Sequence, residues 1–407
     1  MSQLQLVIDE GPRAAVLEQL QHSLEQGAAA ALVSPQERGA VEPALAAALP
    51  ADLAEAAVVL GSGGSSGARR WCLQPLSHLE GAAQATAHWL EAQGISPQRC
   101  ELFNPLPPHH ISGLMPWIRS RCWGSSLRWL APELMRDPAA LAVQEPPSEG
   151  RSALLSLVPT QLERLLEHPA GREWLQGFAL IWVGGAALSA SQAQRCRQWG
   201  IRLSPCYGST ETGAMVAALA PEAFLQGAPG CGEPLSHVQL RLDPQTSALQ
   251  VRSGSLARAI WLEGRWQPLP QEQGWWSSGD RAALMPEGLQ VLGRLDGAIQ
   301  SGGETVFPEQ LEAQLLSLCQ GRRLPVAELL LLAEADPLWG ERLVALVRLE
   351  AAAEFAGLLP DLQALAQELP PSQRPRRWLE CSTLERTALG KWERQRWHQW
   401  LALLEAA

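Results

Sequence analysis

Lysine is almost missing from this chain of 407 residues: among 32 cationic side chains Lys391 is the one ammonium, and the others are arginine. Tyrosine is as scarce, with Tyr207 its single example. An ammonium is a compact point charge and a guanidinium a planar fork, so the two are not interchangeable. A position that keeps lysine in an arginine-biased chain is therefore a candidate for chemistry that needs one, with chance survival as the alternative. Cysteine occurs eight times but never as Cys-x-x-Cys. That excludes the common zinc spacings and reads as free thiols in a reducing compartment, so a cytoplasmic location is expected. No apolar run is long enough to cross a bilayer, and Met1-Ser2-Gln3-Leu4-Gln5 has no basic region leading into an apolar stretch. Neither membrane insertion nor a secretory signal is expected. Excess positive charge is lacking too, at a formal net charge of −10, which argues against nucleic acid as a partner and against a polybasic membrane contact. No internal repeat is visible, and the 17 tryptophans are read as packing residues.

What is present is a globular composition, 46% hydrophobic and 18% charged, at a length that suits two domains. Residues 1–55, rich in Ala, Leu, Glu and Gln, read as mostly helical. A strand at 56–60 leads into a glycine-serine loop at 61–67, and a helix follows at 79–93. Residues 104–110 read as a proline-rich turn and 137–150 as a loop. Then come a strand at 154–158, a helix at 161–167, a strand at 180–183 ending in Gly184-Gly185-Ala186, a helix from Ser189, and a strand at 201–203 running into Tyr207. Strands alternating with helices predict an α/β fold with a largely parallel sheet. Short strand-like pieces at 238–242, 248–252, 259–262 and 290–292 predict an antiparallel meander or small barrel. A smaller α+β unit is expected beyond it, with a helix from Pro308, strands near 329–333 and 343–349, and a helix at 361–369.

Five constellations carry chemistry. Ser62-Gly63-Gly64-Ser65-Ser66-Gly67, followed by Ala68-Arg69-Arg70, offers close backbone approach, hydroxyls and charge to a polyphosphate, although its spacing is not that of an ordinary P-loop. Tyr207-Gly208-Ser209-Thr210-Glu211-Thr212-Gly213 combines a ring, hydroxyls and a carboxylate able to stack a base, bond phosphate and hold Mg2+. Ser278-Gly279-Asp280 puts a carboxylate after a tight turn, where it can take two ribose hydroxyls. The run from Gly293 to Glu312 sets Arg294 and Asp296 before Gly302-Gly303 and a proline-initiated helix. The fifth is Thr387-Ala388-Leu389-Gly390-Lys391-Trp392-Glu393-Arg394. Each alone also reads as an ordinary turn.

In this order the five resemble the adenylate-forming superfamily of acyl- and aryl-CoA ligases and peptide-synthetase adenylation domains. Gly64-Ser65-Ser66-Gly67 fits the core of that family's phosphate loop, with Arg69 for its proline, Arg70 for its lysine and Trp71 for its glycine. Tyr207-Gly208-Ser209-Thr210-Glu211 matches the adenine and phosphate motif, and Gly184-Gly185-Ala186 the strand end at the nucleotide and acyl pocket. Leu106-Pro107-Pro108-His109-His110-Ile111-Ser112-Gly113 fits the loop that brings His110 to the acyl pocket; from the residues alone His109 and His110 read equally as turn or packing histidines. The resemblance covers about residues 56–395 and implies a large N-terminal domain at 1–293, of parallel sheets with helices plus a small β-barrel-like subdomain, trimmed at its N-terminus. It also implies a small mobile α+β domain at 297–407 and a hinge at 294–296. ATP, Mg2+ and CoA are the implied cofactor and cosubstrates. The implied roles are adenylation by Lys391, Mg2+ and phosphate contacts by Glu211 and Thr210, adenine stacking by Tyr207, and ribose binding by Asp280 with Arg294. Asp296 is the implied hinge residue, about which rotation would bring Gly302-Gly303 over a pantetheine tunnel. Within the family the compact length and the 302–312 run look like short forms that activate o-succinylbenzoate, the dicarboxylic acid of menaquinone and phylloquinone synthesis. Arg119, Arg121 and Arg128 are candidates for its second carboxylate, with a solvated surface position the expected fate of each. Another aryl- or acyl-CoA ligase, an enzyme loading a carrier protein, and an inactive nucleotide-binding homologue stay open as alternatives. Oligomeric state is not legible.

Overall fold

The computed structural model describes residues 4–47, 49, 55–62, 70–350, 353–387 and 390–406. The first of its sheets runs Gln5–Ile8, Ala29–Val33, Ala57–Ser62, Arg70–Pro75, Ala259–Leu262, Arg265–Pro268. The first three strands are parallel and the later pairs antiparallel. This corrects the helical reading of 1–55, where two strands alternate with the helices Arg13–Glu25 and Arg38–Ala46. Ala29–Val33 is buried along its whole length. A strand covered on both faces loses the alternation that marks strands in sequence, and its Ala-Leu composition then imitates a helix.

The second sheet runs Glu233–Pro234, Ala214–Ala218, Leu203–Ser209, Leu180–Val183, Ser152–Leu157, Cys100–Asn104, Ser126–Trp129. Its last five strands are parallel, and an antiparallel hairpin closes the other edge. The helices Leu76–Ala92 and Ile111–Trp123 lie between the two sheets: Leu79, Leu114 and Ile118 pack with Val58 and Leu60 of the first, while Ala87 and Leu90 pack with Leu102, Leu154 and Leu180 of the second. The outer face of the second sheet is covered by helices including Pro159–Glu167, Pro169–Gln176 and Ala190–Gln198. The expected loop at 137–150 contains a short helix, Pro138–Gln144. Asp137 caps it by accepting the Ala140 N–H at 3.0 Å, and Pro138 takes the first helical position, where no N–H is required.

Val238–Leu242, Ala248–Ser253, Trp276–Met285 and Gly288–Arg294 form a four-stranded antiparallel sheet. Ala259–Leu262, read from sequence as part of that unit, belongs instead to the first sheet, paired with Arg70–Pro75. The C-terminal unit holds the strands Ile299–Ser301, Glu304–Val306, Val326–Asp336, Gly340–Leu349 and Pro375–Glu380 with the helices Pro308–Gly321, Phe355–Ala366 and Arg394–Ala406. Its two faces bury separate apolar clusters, one around Leu315, Leu329 and Leu362 and the other around Leu330, Leu346 and Trp397. The expected helix at 361–369 starts at Phe355 instead, and the closing helix was not anticipated. Among the described residues no helix is long and apolar enough to cross a membrane.

Candidate active site

The turn after Leu203–Ser209 is built by Thr212, whose Oγ1 accepts the Ser209 N–H at 2.9 Å and donates to the Ala214 carbonyl at 2.6 Å. Gly208 lets the hairpin close, because a Cβ there would fall 1.9 Å from the Ala214 carbonyl oxygen. The first sheet and the segment leading into its Ala259–Leu262 strand fix the same turn: Gln74 Nε2 donates to the Thr210 carbonyl at 2.6 Å, and the Ala257 N–H donates to the Glu211 carbonyl at 2.7 Å. Glu211 thereby faces the hairpin on which Ser62 pairs with Arg70. Cys72 lies beside it; burial, and then the negative charge of Glu211, push that thiol well above its ordinary range. The thiol therefore stays protonated, and the donors at this point are oxygens. Gly63, Gly64, Ser65, Ser66 and Gly67 lie outside the described residues, as does Arg69. Trp71, which stands where the family has glycine, is buried in the first sheet with its indole N–H on the Ala40 carbonyl.

Tyr207 and Asp280, 73 positions apart, are joined by a 2.5 Å hydrogen bond from the phenol to Oδ2. Arg294 approaches Oδ1 of the same carboxylate at 3.4 Å, donates to the Ser278 carbonyl at 2.9 Å, and forks onto Asp296 at 3.0 and 2.9 Å. Burial raises the Asp280 carboxyl despite Tyr207 and Arg294, while the hydrogen bonds to Asp296 lead in raising Arg294. One continuous polar chain thus runs from the hairpin to the turn at 295–298.

At the far end of the second sheet the Gly184 N–H donates to the Leu157 carbonyl at 3.2 Å, and a Cβ on Gly184 would lie 3.0 Å from Cys206 Sγ. Gly185, at φ +83°, passes Val158, with Ala186 next. Asn104 shapes the neighbouring loop by donating to the Gly113 carbonyl at 2.8 Å and accepting the Leu106 N–H at 3.0 Å. The two histidines of this loop separate. His109 Nδ1 bonds Asp9 at 2.5 Å and so ties the loop to the first sheet, whereas His110 is the N-cap residue of Ile111–Trp123.

The three arginines after that loop also separate. Arg121 is exposed and stacks on Trp117, and Arg128 is paired with Glu101 at 2.6 Å and Glu145 at 3.2 Å. Arg119 contradicts the solvated expectation: it is 5% exposed, with its guanidinium 4.7 Å from the Trp182 ring centroid. Four positions from Met115 and from Trp123, it lies on a buried face of Ile111–Trp123, between the sheets. Among the described residues no carboxylate pairs with it, and its Nε has no hydrogen-bond partner. Neither the indole N–H of Trp182 nor the hydroxyl of Ser204, its partner across the strand pair, has one either. Burial lowers Arg119 to about 10, which leaves it charged at neutral pH, and raises Cys206 to about 12, which keeps the adjacent thiol neutral.

The Lys391 loop meets this edge of the sheet. Gly390, at φ +74°, sits so close to Thr160 that a Cβ would lie 3.3 Å from its methyl group. Thr387 clasps the loop: its carbonyl accepts the Gly390 N–H at 2.8 Å, its N–H donates to the Lys391 carbonyl at 2.8 Å, and its Oγ1 accepts the Lys391 N–H at 3.1 Å. Arg386, paired with Glu328 at 2.9 Å and stacked on Trp392, donates to the Gly390 carbonyl at 3.3 Å. Gly302 and Gly303 occupy a different place. They form the turn between Ile299–Ser301 and Glu304–Val306, and Gly302 packs on Trp339 of the same unit. Gln74, Thr160, Arg386 and Thr387 had no assigned part in the sequence reading. Gln74 and Thr160 are distant in sequence from the groups they touch, which leaves no local signal for them.

Residues 3–256 match the family model described as AMP-binding enzyme. The 2-succinylbenzoate–CoA ligase of Enterococcus faecalis is 26% identical over 352 residues, 84% of this chain and 69% of that protein. The enzyme of the same name from Geobacillus kaustophilus is 28% identical over 323 residues, 77% of this chain and 62% of that protein. The o-succinylbenzoate CoA synthetase of Bacillus subtilis, solved with the acyl-adenylate intermediate OSB-AMP, superposes with a TM-score of 0.79 at 22% identity, over 97% of this chain and 88% of that one. With the family model covering more than half of its length, the chain belongs to the AMP-binding enzymes.

Proposed function

We propose that the chain is an ATP- and CoA-dependent ligase that adenylates o-succinylbenzoate and passes the acyl group to CoA, a step of menaquinone or phylloquinone synthesis in the cytoplasm. The observation that carries the choice of acid is Arg119. A buried cation with open donors around it has a large unmet demand for an anion, and Arg119 neighbours Cys206, whose Sγ lies against Gly184 at the strand end read as the acyl pocket. A monocarboxylic acid has no group left for it once its carboxylate is being activated. An aromatic dicarboxylic acid has one, and the 2-succinylbenzoate–CoA ligases among the relatives agree with that choice.

In this reading the substrate carboxylate oxygen attacks the α-phosphorus of ATP and pyrophosphate leaves. Such a transfer is catalysed by positioning and charge neutralisation. Lys391 bridges the carboxylate and the α-phosphate as charge shifts between them. Thr210 and the 62–70 loop with Arg70 bond phosphate, Tyr207 flanks the adenine, and Asp280 with Arg294 holds the ribose. Oxygen donors beside a protonated thiol suit a hard cation, so Glu211 would hold Mg2+, which neutralises phosphate charge. His110 borders the acyl group. Residues 1–293 and 297–407 act as two domains about a hinge at 294–296. Rotation there withdraws Lys391 and brings Gly302-Gly303 to the thiol path, so one chain builds two sites in turn.

Mg·ATP-dependent pyrophosphate release with o-succinylbenzoate, benzoate and octanoate, each with and without CoA, tests the reading. Selective turnover with o-succinylbenzoate and CoA is the expected outcome. Turnover with another acid alone would overturn the substrate and keep the mechanism; silence with all three would overturn the substrate, and silence with a wider acid panel would overturn the mechanism too.

A further inference from the structure

Three charged residues that the chemistry above does not use, Glu312 buried and the other two half-buried, form a cluster between the hinge and the lysine loop. Arg394 opens the last helix, three residues after Lys391. It donates to the Leu331 carbonyl at 2.7 Å and reaches Glu309 at 3.2 Å and Glu312 at 2.9 Å. Glu312 is buried and also accepts the Leu331 N–H at 2.9 Å, so it anchors Arg394 to the core of the small unit. Glu309 is placed differently. It lies at the start of Pro308–Gly321, and its carboxylate faces both sides of the hinge: a Cβ on Gly293 would be 3.3 Å from Oε2, and one on Gly297 would be 3.6 Å from Oε1. Oε2 is buried and has no hydrogen-bond partner among the described residues.

Gly293 precedes residues 294–296 and Glu309 follows them, so rotation about the hinge separates the two. The contact belongs to the orientation in which Gly390 meets Thr160. We infer that Glu309 is a positioning residue: seated against Gly293 and joined to Arg394, it sets the Lys391 loop for adenylation and has no part in thioester formation. The inference rests on the reading of Lys391 as the adenylation residue. An ion pair that merely held two helices of the small unit together would serve both half-reactions equally.

The test compares the full-length chain with Glu309→Gln, Glu309→Asp, Arg394→Lys and Lys391→Ala. Adenylation is read as ATP–pyrophosphate exchange with the acid that the substrate panel identifies, and thioester formation as attack of CoA on the chemically prepared acyl-adenylate. Glu309→Gln is expected to lower the kcat of exchange about 10-fold or more, with the KM for ATP and the thioester rate each within about 3-fold, and Glu309→Asp is expected to recover part of the loss. Equal losses in both half-reactions, or unchanged exchange, would overturn the inference. If Lys391→Ala abolishes exchange and Glu309→Gln leaves it intact, this inference alone fails. If Lys391→Ala retains exchange, the reading of Lys391 fails and takes the inference with it. Should melting curves show Glu309→Gln unfolded, Arg394→Lys, which keeps the charge and loses the fork, decides the matter by the same ratio of half-reactions.

Discussion

A guanidinium buried on an indole with no counter-charge lowers the stability of a core unless something outside the chain completes it. Among the described residues Arg119 is in that position, and on the proposed reading the substrate's second carboxylate completes it. The consequence separates binding from folding. Arg119→Met keeps the unbranched apolar stem of the side chain and removes its charge. Truncating one partner of a buried charge pair costs about 2–5 kcal/mol, on the order of 30-fold or more in kcat/KM. That loss is expected for o-succinylbenzoate alone, with turnover of acids lacking the second carboxylate unchanged or improved. The melting temperature of the free protein should rise, because a lone buried charge has been replaced by an apolar group. Steady-state kinetics on two acids and a melting curve check all of this, and an unchanged kcat/KM for o-succinylbenzoate would place its second carboxylate elsewhere. At this scale the sequence carried less than the structure. Arg119, Arg121 and Arg128 look alike as letters, and only the packing of one helix between two sheets turns the first inward. Nor can a sequence display the bond between Tyr207 and Asp280, since nothing local to either residue records the other.

Elements whose character is local were legible. Leu180–Val183, the helix capped by Ser189 and the helix opening at Pro308 carry their own stop and start signals, and the structure has them where the sequence expects them. The strands Gln5–Ile8 and Ala29–Val33 carry none: the first is only four residues long, and burial along the whole of the second erases the period of two. The lysine loop is legible as a motif but not as a mechanism. What the motif encodes is a turn clasped by Thr387, with a left-handed glycine at Gly390 pressed on Thr160. Thr387→Val keeps the shape and β-branching of the side chain and removes the acceptor for the Lys391 N–H. One hydrogen bond of this kind contributes about 0.5–1.5 kcal/mol. A loss on the order of 3- to 10-fold in the adenylation rate is expected, with the KM for ATP little changed and thioester formation from preformed acyl-adenylate intact. Rapid-quench measurement of each half-reaction reads this directly. A larger KM with an unaltered adenylation rate would show that the clasp serves nucleotide binding instead.

On the proposed reading the whole molecule alternates between two arrangements, and the turn at 295–298 gives a handle on them. The Ala298 N–H donates to the Leu295 carbonyl at 3.3 Å, so Asp296 and Gly297 are the central residues of a tight turn. Proline is favoured at the first central position of the common turns, because its ring presets the backbone angle needed there. Asp296→Pro is therefore compatible with the arrangement described here, in which Gly390 meets Thr160 and Glu309 faces Gly293. It withdraws the freedom that a rotation would need. It also removes the carboxylate that forks onto Arg294, although Arg294 keeps its contacts with Asp280 and the Ser278 carbonyl. Adenylation should survive within about 10-fold, whereas CoA thioester formation from preformed acyl-adenylate should fall by about 100-fold or more, the reverse of the Lys391→Ala pattern. The two variants mixed in one tube provide a sharper check. Acyl-adenylate released by the proline variant can be used by the alanine variant, so thioester production should return even though neither protein completes the reaction alone. Recovery would mean that the two half-reactions depend on different arrangements and that the acyl-adenylate passes between molecules, and no recovery, with each half-reaction still measurable alone, would mean that the intermediate is never released between them.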